Sequence, residues 1–94
     1  MKQGYLDIAK EVFKIEASAV FDLANKIDHG FTDAVDNILN SHGRVIICGM
    51  GKSGIIAHKI SATLSSTGTS SFFMHPGEAY HGDLGMVTSK DVFI

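Results

Sequence analysis

The fold of this chain is decided by one stretch near its middle, Arg44-Val-Ile-Ile-Cys48-Gly-Met-Gly51-Lys-Ser-Gly54. Residues 44–48 carry a continuous β-branched run, which is typical of a strand that is covered on both faces in a parallel sheet. The glycine cluster that follows indicates a tight turn, and the spacing beyond it predicts a helix over 53–66. A turn from strand to helix presents backbone N–H groups and the positive end of a helix dipole, so we expect an anion such as phosphate there.

The segments after this turn complete a parallel sheet. A second short strand is predicted over 71–74, a loop over 76–85, and a third apolar segment over 91–94, so the economical topology is a right-handed βαβ unit. Three strands of buried type would leave an apolar edge, and we therefore expect the natural protein to be longer or to associate. The spacing of apolar residues predicts which face of this helix points inward. That face consists of four residues: Ile56, Ile60, Thr63 and Leu64.

Two helices are predicted before the sheet. From Tyr5 to about Ile27, apolar residues recur three or four positions apart, which indicates one long amphipathic helix. A second helix is expected to begin after an N-cap at Thr32. The predicted fold class is therefore α/β, with an N-terminal helical segment over 1–43 packed on a parallel βαβ sheet over 44–94, in an incomplete flavodoxin-like or Rossmann-like domain.

Composition and charge place the chain among ordinary globular proteins. It has 94 residues, enough for one small domain, with 45% hydrophobic and 19% charged residues and a formal net charge of -2. This balance argues against a nucleic-acid partner. The apolar runs are far shorter than the roughly 20 residues needed to cross a bilayer, and no secretion signal is recognised. With a single cysteine, Cys48, an internal disulfide is impossible, and a cytoplasmic location is expected.

The glycine turn has competing interpretations. Its spacing fits the dinucleotide fingerprint, but that fingerprint also needs a carboxylate about 20 residues later, where Met74 and His75 stand. A Walker A loop would need a glycine at Ile46. A phosphate site remains, with Lys52 and Ser53 as candidates. The structural alternative is that the three glycines only allow the helix to pack closely on the strand.

A second polar cluster follows the second strand, at the edge of the sheet where open α/β folds bind ligands. It places His75, Glu78, His81 and Asp83 within nine residues. Such a set could bind a divalent metal, transfer protons or hold sugar hydroxyls. The structural alternative is a polar loop in which Glu78 and Asp83 cap short helical turns. His58, alone on a helix face, is expected to be solvated.

Taken together, five short segments resemble the KpsF/GutQ type of D-arabinose 5-phosphate isomerase. They are residues 49–54, 66–69, 72–73, 75–79 and 81–88, and the resemblance is close over 44–94 and loose over the helical N-terminus. It implies a sugar isomerase (SIS) domain, in which helices flank a parallel sheet. It also implies the interconversion of D-ribulose 5-phosphate and D-arabinose 5-phosphate, which leads to the Kdo sugar of lipopolysaccharide and some capsules.

The resemblance also implies roles for particular residues. It makes Lys52 the catalytic lysine of the glycine turn, with Gly51 and Ser53 as its substrate-binding neighbours. His75 could also take a zinc ion, although the family requires no cofactor for turnover. The implied partners are a pentose 5-phosphate and further copies of the chain in a homotetramer, with no nucleic acid and no membrane. Further substrate contacts are implied at four residues: Gly68, Thr69, His75 and His81.

Two departures from this family bear on the expected activity. Ser70 stands where relatives often carry proline, which at most loosens that connection. The family also continues into a serine-rich phosphate loop, further acid-base residues and usually two CBS domains. We therefore expect this chain to be the N-terminal part of such an enzyme and inactive alone; the alternative is a regulatory SIS module that binds phosphosugars without converting them. In either case Lys52 and His75 are expected to form half of one phosphosugar cradle.

Overall fold

A computed structural model describes residues 2–94 of the chain, except for the side chain of Gln3. Two compact units divide after Asp33, and each is described by itself. In the first unit, helix α1 spans Lys2–Asp22 and continues into a 3-10 turn over Leu23–Asn25. The long helix predicted over 5–27 is thus confirmed, with its last turn tightened. None of the helices within residues 2–94 combines the length and apolar character that a bilayer span requires.

Helix α2 spans His29–Leu39 and begins about one turn before its predicted start. The reason is local. The Asp28 carboxylate accepts a hydrogen bond from the Gly30 N–H at 2.9 Å, which is the N-cap interaction that begins a helix. The predicted cap at Thr32 is therefore wrong, because Asp28 supplies the cap instead.

The second unit is built around a three-stranded parallel sheet. Its strands are β1 (Val45–Cys48), β2 (Ser71–Met74) and β3 (Val92–Phe93), in the spatial order β2-β1-β3. In this register the first residue of β1 lies opposite Ser71 on one side and opposite Val92 on the other. The predicted α/β fold class with a parallel sheet is confirmed.

Helical segments connect these strands. Helix α3 spans Gly51–Ser66 and links β1 to β2, beginning two residues before its predicted start. The segment predicted as a loop contains helix α4, Pro76–Tyr80, and a 3-10 turn over Asp83–Met86. Glu78 and Asp83 lie in the first turns of these two segments, where a negative side chain faces the positive end of the helix dipole. The predicted capping by these two carboxylates is wrong, because His75 is the N-cap of α4 and Gly82 precedes the 3-10 turn without a side-chain cap.

The core of the second unit lies along β1. Val45 and Ile46 are almost completely buried, and because neighbouring residues of a strand point to opposite faces, both faces of β1 are covered. On one face Val45 and Ile47 form a cluster with Ala57 of α3. The predicted strand covered on both faces is therefore confirmed. Three partly buried residues pack around the cluster: Ile38, Leu64 and Phe73.

The face of α3 that meets the sheet consists of small residues. Ile56 and Ile60, predicted to face inward, are instead 58% and 47% exposed. The reason is distance: a Cβ atom on Gly54 would lie 2.6 Å from the Gly49 carbonyl oxygen, so only small residues fit where the helix crosses β1. The predicted inward face is thus wrong for both isoleucines and for Thr63, which is also exposed, whereas Leu64 is partly buried against the core. The buried positions of the helix are Gly54, Ala57 and Ser61.

A buried carboxylate holds the start of β3 beside β1. Asp91, whose side chain is 2% exposed, accepts hydrogen bonds from the backbone N–H groups of Arg44 and Thr88, both at 2.7 Å. The bond from the Arg44 N–H is the largest cause that lowers the pKa of Asp91 from its ordinary value of 3.8 to about 2. The Arg44 guanidinium also donates to the Met86 carbonyl at 2.7 Å, which ties the segment before β3 to the same strand end.

Candidate functional site

The glycine turn between β1 and α3 adopts a conformation that needs glycine. Gly51, the first residue of α3, has a φ of +62°, in the left-handed region that favours glycine. Met50 before it is extended and forms no side-chain cap. Within residues 2–94, the N–H groups of Gly51, Lys52 and Ser53 donate to no backbone acceptor. An anion at this turn could accept those bonds, at the positive end of the helix dipole.

A pocket of about 440 Å³ opens beside this turn, and we call it the switch-point pocket. After β1 the chain forms β2 on one side of β1 and then crosses to the other side of β1 to form β3. The order in which strands are added to the sheet therefore reverses direction between β1 and β3. Open α/β sheets bind their ligands at such a reversal, beyond the carboxyl ends of the strands. The lining includes Cys48 and Ile94 from the strand ends, and Lys52 and Ser53 from the first turn of α3.

A second pocket, of about 530 Å³, lies on the β2 side of α3, and we call it the histidine pocket. Glycines of the turn form part of its wall. The rings of His58 and Phe73 lie 5.1 Å apart between centroids and are tilted by 36°. The side chains that line the pocket come from one face of α3 and from the end of β2: Ile55, His58, Lys59, Phe73 and His75.

The structure places the predicted residues Lys52 and His75 in different pockets. Lys52 and Ser53 line the switch-point pocket, Gly51 and His75 line the histidine pocket, and among the described residues none lines both. β2 and β3 flank β1 on opposite sides, and the lining of the histidine pocket includes the end of β2 whereas that of the switch-point pocket includes Ile94, which follows β3. Gly51 and Lys52 are consecutive residues of the same turn, so both pockets adjoin the glycine turn, and the single cradle expected from the sequence stays a prediction.

His75 has a structural role at the end of β2. Its Nδ1 accepts a hydrogen bond from the Gly77 N–H at 3.0 Å, which makes the residue the N-cap of α4. Its Nε2 is therefore the atom that could meet a ligand. Across the described range, no three His, Cys, Asp or Glu side chains gather so that they could hold a metal ion. His75 thus fits a metal only as a single ligand through Nε2.

The other three predicted site residues lie apart from both pockets. His81 follows α4 as its C-cap and is exposed, with its ring 6.3 Å from that of Tyr80. Gly68 and Thr69 follow the carboxyl end of α3 and precede β2, so they lie at the amino edge of the sheet. The intervening helix of 16 residues is about 24 Å long. Gly68 and Thr69 therefore lie at the opposite end of α3 from Lys52.

The sequence-based predictions missed the α3 side of the histidine pocket. Ile55, His58 and Lys59 line it, and His58 is exposed, as the sequence predicts for a lone histidine on a helix. One signal could have found them: residues 51, 55 and 58 recur four and three apart, so they share one face of the helix with the glycine turn. Phe73 offers no such signal, because its pairing with His58 depends on how α3 lies on the sheet.

Comparisons with known proteins agree with this architecture. A family model for the SIS domain matches residues 38–94. The arabinose 5-phosphate isomerase KdsD of Salmonella typhi is 55% identical over 85 residues, which cover 90% of this chain and 26% of that protein. KdsD of Francisella tularensis is 50% identical over 94 residues, which cover 97% of this chain and 29% of that protein.

A solved structure is also similar to the chain: the protein c3406 of E. coli CFT073, in complex with arabinose 5-phosphate. It is 40% identical, with a TM-score of 0.91, over 99% of this chain and 50% of that one. The chain thus spans about a quarter of the length of the curated relatives and half of the solved chain. The family match runs from α2 to β3 and covers more than half of the residues. The chain therefore belongs to the SIS domain family.

Proposed function

We propose that the chain is the N-terminal part of a D-arabinose 5-phosphate isomerase, which interconverts D-ribulose 5-phosphate and D-arabinose 5-phosphate. The observation that carries the proposal is the switch-point pocket, where Lys52 and Ser53 lie at the uncapped first turn of α3. Relatives named arabinose 5-phosphate isomerase, and the solved relative in complex with that sugar phosphate, support it. We further propose that the product serves the synthesis of Kdo for lipopolysaccharide or capsule.

The pocket could act on a pentose phosphate in two ways. The first-turn N–H groups and the Lys52 ammonium would hold the phosphate, whose binding energy positions the sugar. Isomerisation then moves a proton between C1 and C2 through an enediolate, and a cation beside its negative oxygen stabilises it. Lys52 supplies the positive charge for one of these two roles. The substrate contacts proposed for four other residues need an arrangement that brings them to Lys52: Gly68, Thr69, His75 and His81.

The switch-point pocket lacks one component of this chemistry. Among the described residues that line it, none has a side-chain carboxylate or imidazole, which are the usual groups for proton transfer near neutral pH. We therefore propose that the 94-residue chain alone binds pentose phosphates weakly and does not isomerise them. The same observation favours the second candidate function, a regulatory SIS module that binds a phosphosugar without converting it.

The test is the substitution of Lys52 in the full-length protein. Lys52→Ala should lower kcat/KM for D-ribulose 5-phosphate by about 10²- to 10³-fold, the loss typical of removing one group that stabilises developing charge. Lys52→Arg keeps the charge and should retain part of the activity. Lys10→Ala, at an exposed position of α1, is the matched control and should leave turnover unchanged. Circular dichroism of each variant checks that the fold is intact.

Two outcomes separate the candidate functions. Undiminished turnover in Lys52→Ala would overturn the role given to the switch-point pocket. Saturable binding of D-arabinose 5-phosphate without turnover, in the unmodified full-length protein, would instead favour the regulatory module.

We propose that turnover requires no cofactor. A zinc ion would use Nε2 of His75 and needs further ligands from outside the described residues, because His75 is a single donor there. Zinc bound in this way would be lost from His75→Ala, which metal analysis of the purified full-length protein measures.

We propose that the complete enzyme is a cytoplasmic homotetramer. The first unit supplies apolar surface for such an assembly, since Phe13 and Phe21 of α1 are 70% and 76% exposed. Light scattering of the full-length protein after size-exclusion chromatography measures its mass, and a monomeric mass would contradict the proposal.

A further inference from the structure

The connection from β2 to β3 carries two of the residues that are proposed to contact the sugar phosphate. We call residues 75–91 the crossover segment, which includes α4 and the 3-10 turn after it. His75 lies at its start, and His81 lies directly after α4. Both histidines are exposed, so their positions depend on how the segment is held against the sheet.

One side chain, that of Arg44, contacts the chain near both ends of this segment. Its guanidinium carbon lies 4.8 Å from the centre of the Phe72 ring, in the strand that leads into the segment. Its Nη2 donates a hydrogen bond to the Met86 carbonyl at 2.7 Å, at the end of the 3-10 turn. Arginine suits both contacts, because the planar guanidinium stacks on an aromatic face and directs several N–H donors outward.

The backbone of Arg44 is fixed on the sheet. Its N–H donates to the Asp91 carboxylate at 2.7 Å, and its carbonyl accepts the Val92 N–H at 2.9 Å. Neighbouring side chains of a strand point to opposite faces, and Val45 belongs to the cluster that packs on α3. The Arg44 side chain therefore bridges the segment on the face of the sheet that α3 does not cover.

This bridge favours one placement of the crossover segment. A flexible connection must become ordered before its side chains can meet a ligand, and that ordering lowers the affinity. Contacts that already hold the two ends together reduce this loss. The 3-10 turn held by Arg44 also contacts α4, so a displacement at Met86 would be passed on to His81.

We propose that Arg44 is a positioning residue for the sugar-phosphate site, because it holds the crossover segment where His81 can meet the substrate. This inference rests on the proposed function, since it takes His81 as a substrate contact. Arg44 precedes β1 at the amino edge of the sheet, whereas Lys52 follows the carboxyl end of that strand. Its effect on the substrate is therefore transmitted through the segment.

The first experiment compares variants of the full-length protein in two assays. Arg44→Met should lower kcat/KM for D-ribulose 5-phosphate about tenfold, and calorimetry should show a similar loss of affinity for D-arabinose 5-phosphate. Arg44→Lys keeps a cation that can donate to the Met86 carbonyl and should recover part of both losses. Lys90→Met, which removes an exposed cation beside Asp91, is the matched control and should change neither value.

A double variant separates positioning from a general loss of stability. His81→Ala removes the side chain that Arg44 is proposed to position. Combined with Arg44→Met, it should lower kcat/KM by clearly less than the product of the two single losses, because residues that act as a unit are not additive. A smaller folded fraction would instead multiply the two losses.

Hydrogen exchange tests the bridge without a ligand. The amides of residues 77–86 should exchange faster in Arg44→Met than in the unmodified full-length protein, while those of α3 exchange as before. Lys90→Met should leave both regions unchanged. Such a local change is expected if Arg44 holds this segment in particular.

Two results would overturn the positioning role. One is unchanged exchange of residues 77–86 in Arg44→Met, and the other is a fully multiplicative loss in the double variant. An unmodified protein that neither converts D-ribulose 5-phosphate nor binds D-arabinose 5-phosphate would contradict the proposed function instead. The exchange measurement would still decide whether Arg44 holds the segment.

Discussion

At the scale of single residues, Asp91 is the charged side chain of the second unit that accepts the most hydrogen bonds. Its carboxylate accepts two backbone N–H groups at 2.7 Å and lies 3.5 Å from the Arg44 guanidinium, while its side chain is 2% exposed. These bonds favour the charged form, and so the pKa of Asp91 falls to about 2. The hydrogen bonds of this one carboxylate thereby hold the start of β3 beside β1.

The first prediction concerns the pH dependence that Asp91 confers. Because its pKa is lower in the folded chain than its ordinary value of 3.8, its contribution to stability is present above about pH 4 and is lost as the pH falls toward 2. Asp91→Asn should destabilise the protein at pH 7 and flatten the loss of stability between pH 4 and 2. Urea unfolding at pH 7, 4 and 2.5 measures both effects. Asp7→Asn on α1 is the control, and an equal pH slope in Asp91→Asn and the parent would contradict the prediction.

At the scale of elements, the sequence predicts the strands better than it predicts the orientation of α3. The β-branched run of β1 and the bounds of β2 follow from local composition, and both are confirmed. Helix α3 has one face with large apolar residues, including Ile56 and Ile60, and another with the small residues Gly54, Ala57 and Ser61. The face with the isoleucines is the exposed one. The orientation of α3 is decided by the close approach of Gly54 to Gly49. A pattern of hydrophobic residues cannot predict such a contact between backbones.

Helix α4 was missed for a different reason. It has five residues, begins with proline after the His75 cap and contains a glycine, so it is too short for a helical period to be recognised. The glycine turn could be placed from sequence because its geometry is local. The pocket that His75 enters could not be placed, because it depends on the order β2-β1-β3, which no local pattern encodes.

The second prediction tests the contact between the two glycines. Gly54→Ala places a Cβ atom 2.6 Å from the Gly49 carbonyl oxygen, so α3 must move away from β1. We expect a loss of about 1–3 kcal/mol in the free energy of unfolding, the usual cost of overpacking a tight contact. Gly85→Ala is the matched control, since its Cβ would meet nothing within 4 Å, and it should change stability by less than about 0.5 kcal/mol. Equal urea midpoints for the two variants would show that the contact does not hold the helix.

At the scale of the whole molecule, the residues proposed to contact a sugar phosphate lie in different parts of the described chain. Lys52 lies in the switch-point pocket, His75 in the histidine pocket, and Thr69 at the amino edge of the sheet. A complete site needs groups that residues 2–94 do not bring to Lys52. The chain spans about a quarter of its curated relatives, so those relatives contain many residues that could supply them.

The third prediction follows for the chain on its own. The isolated 94 residues should show no turnover of D-ribulose 5-phosphate above the uncatalysed rate, because no described side chain that lines the pocket with Lys52 is a carboxylate or an imidazole. Proton NMR of the sugar anomers over several hours measures this. The full-length protein, assayed in parallel at the same concentration, is the positive control. Steady conversion by the isolated chain would mean that the proton-transfer group has been misidentified.

Helix α3 forms a wall of both cavities, and this shared wall has a thermodynamic consequence. Gly54 leaves no room for a Cβ atom beside the Gly49 carbonyl oxygen, so a larger residue there would displace the wall of both cavities. A substitution at this one contact should therefore change the stability of the unit and the affinity of each cavity for a ligand together.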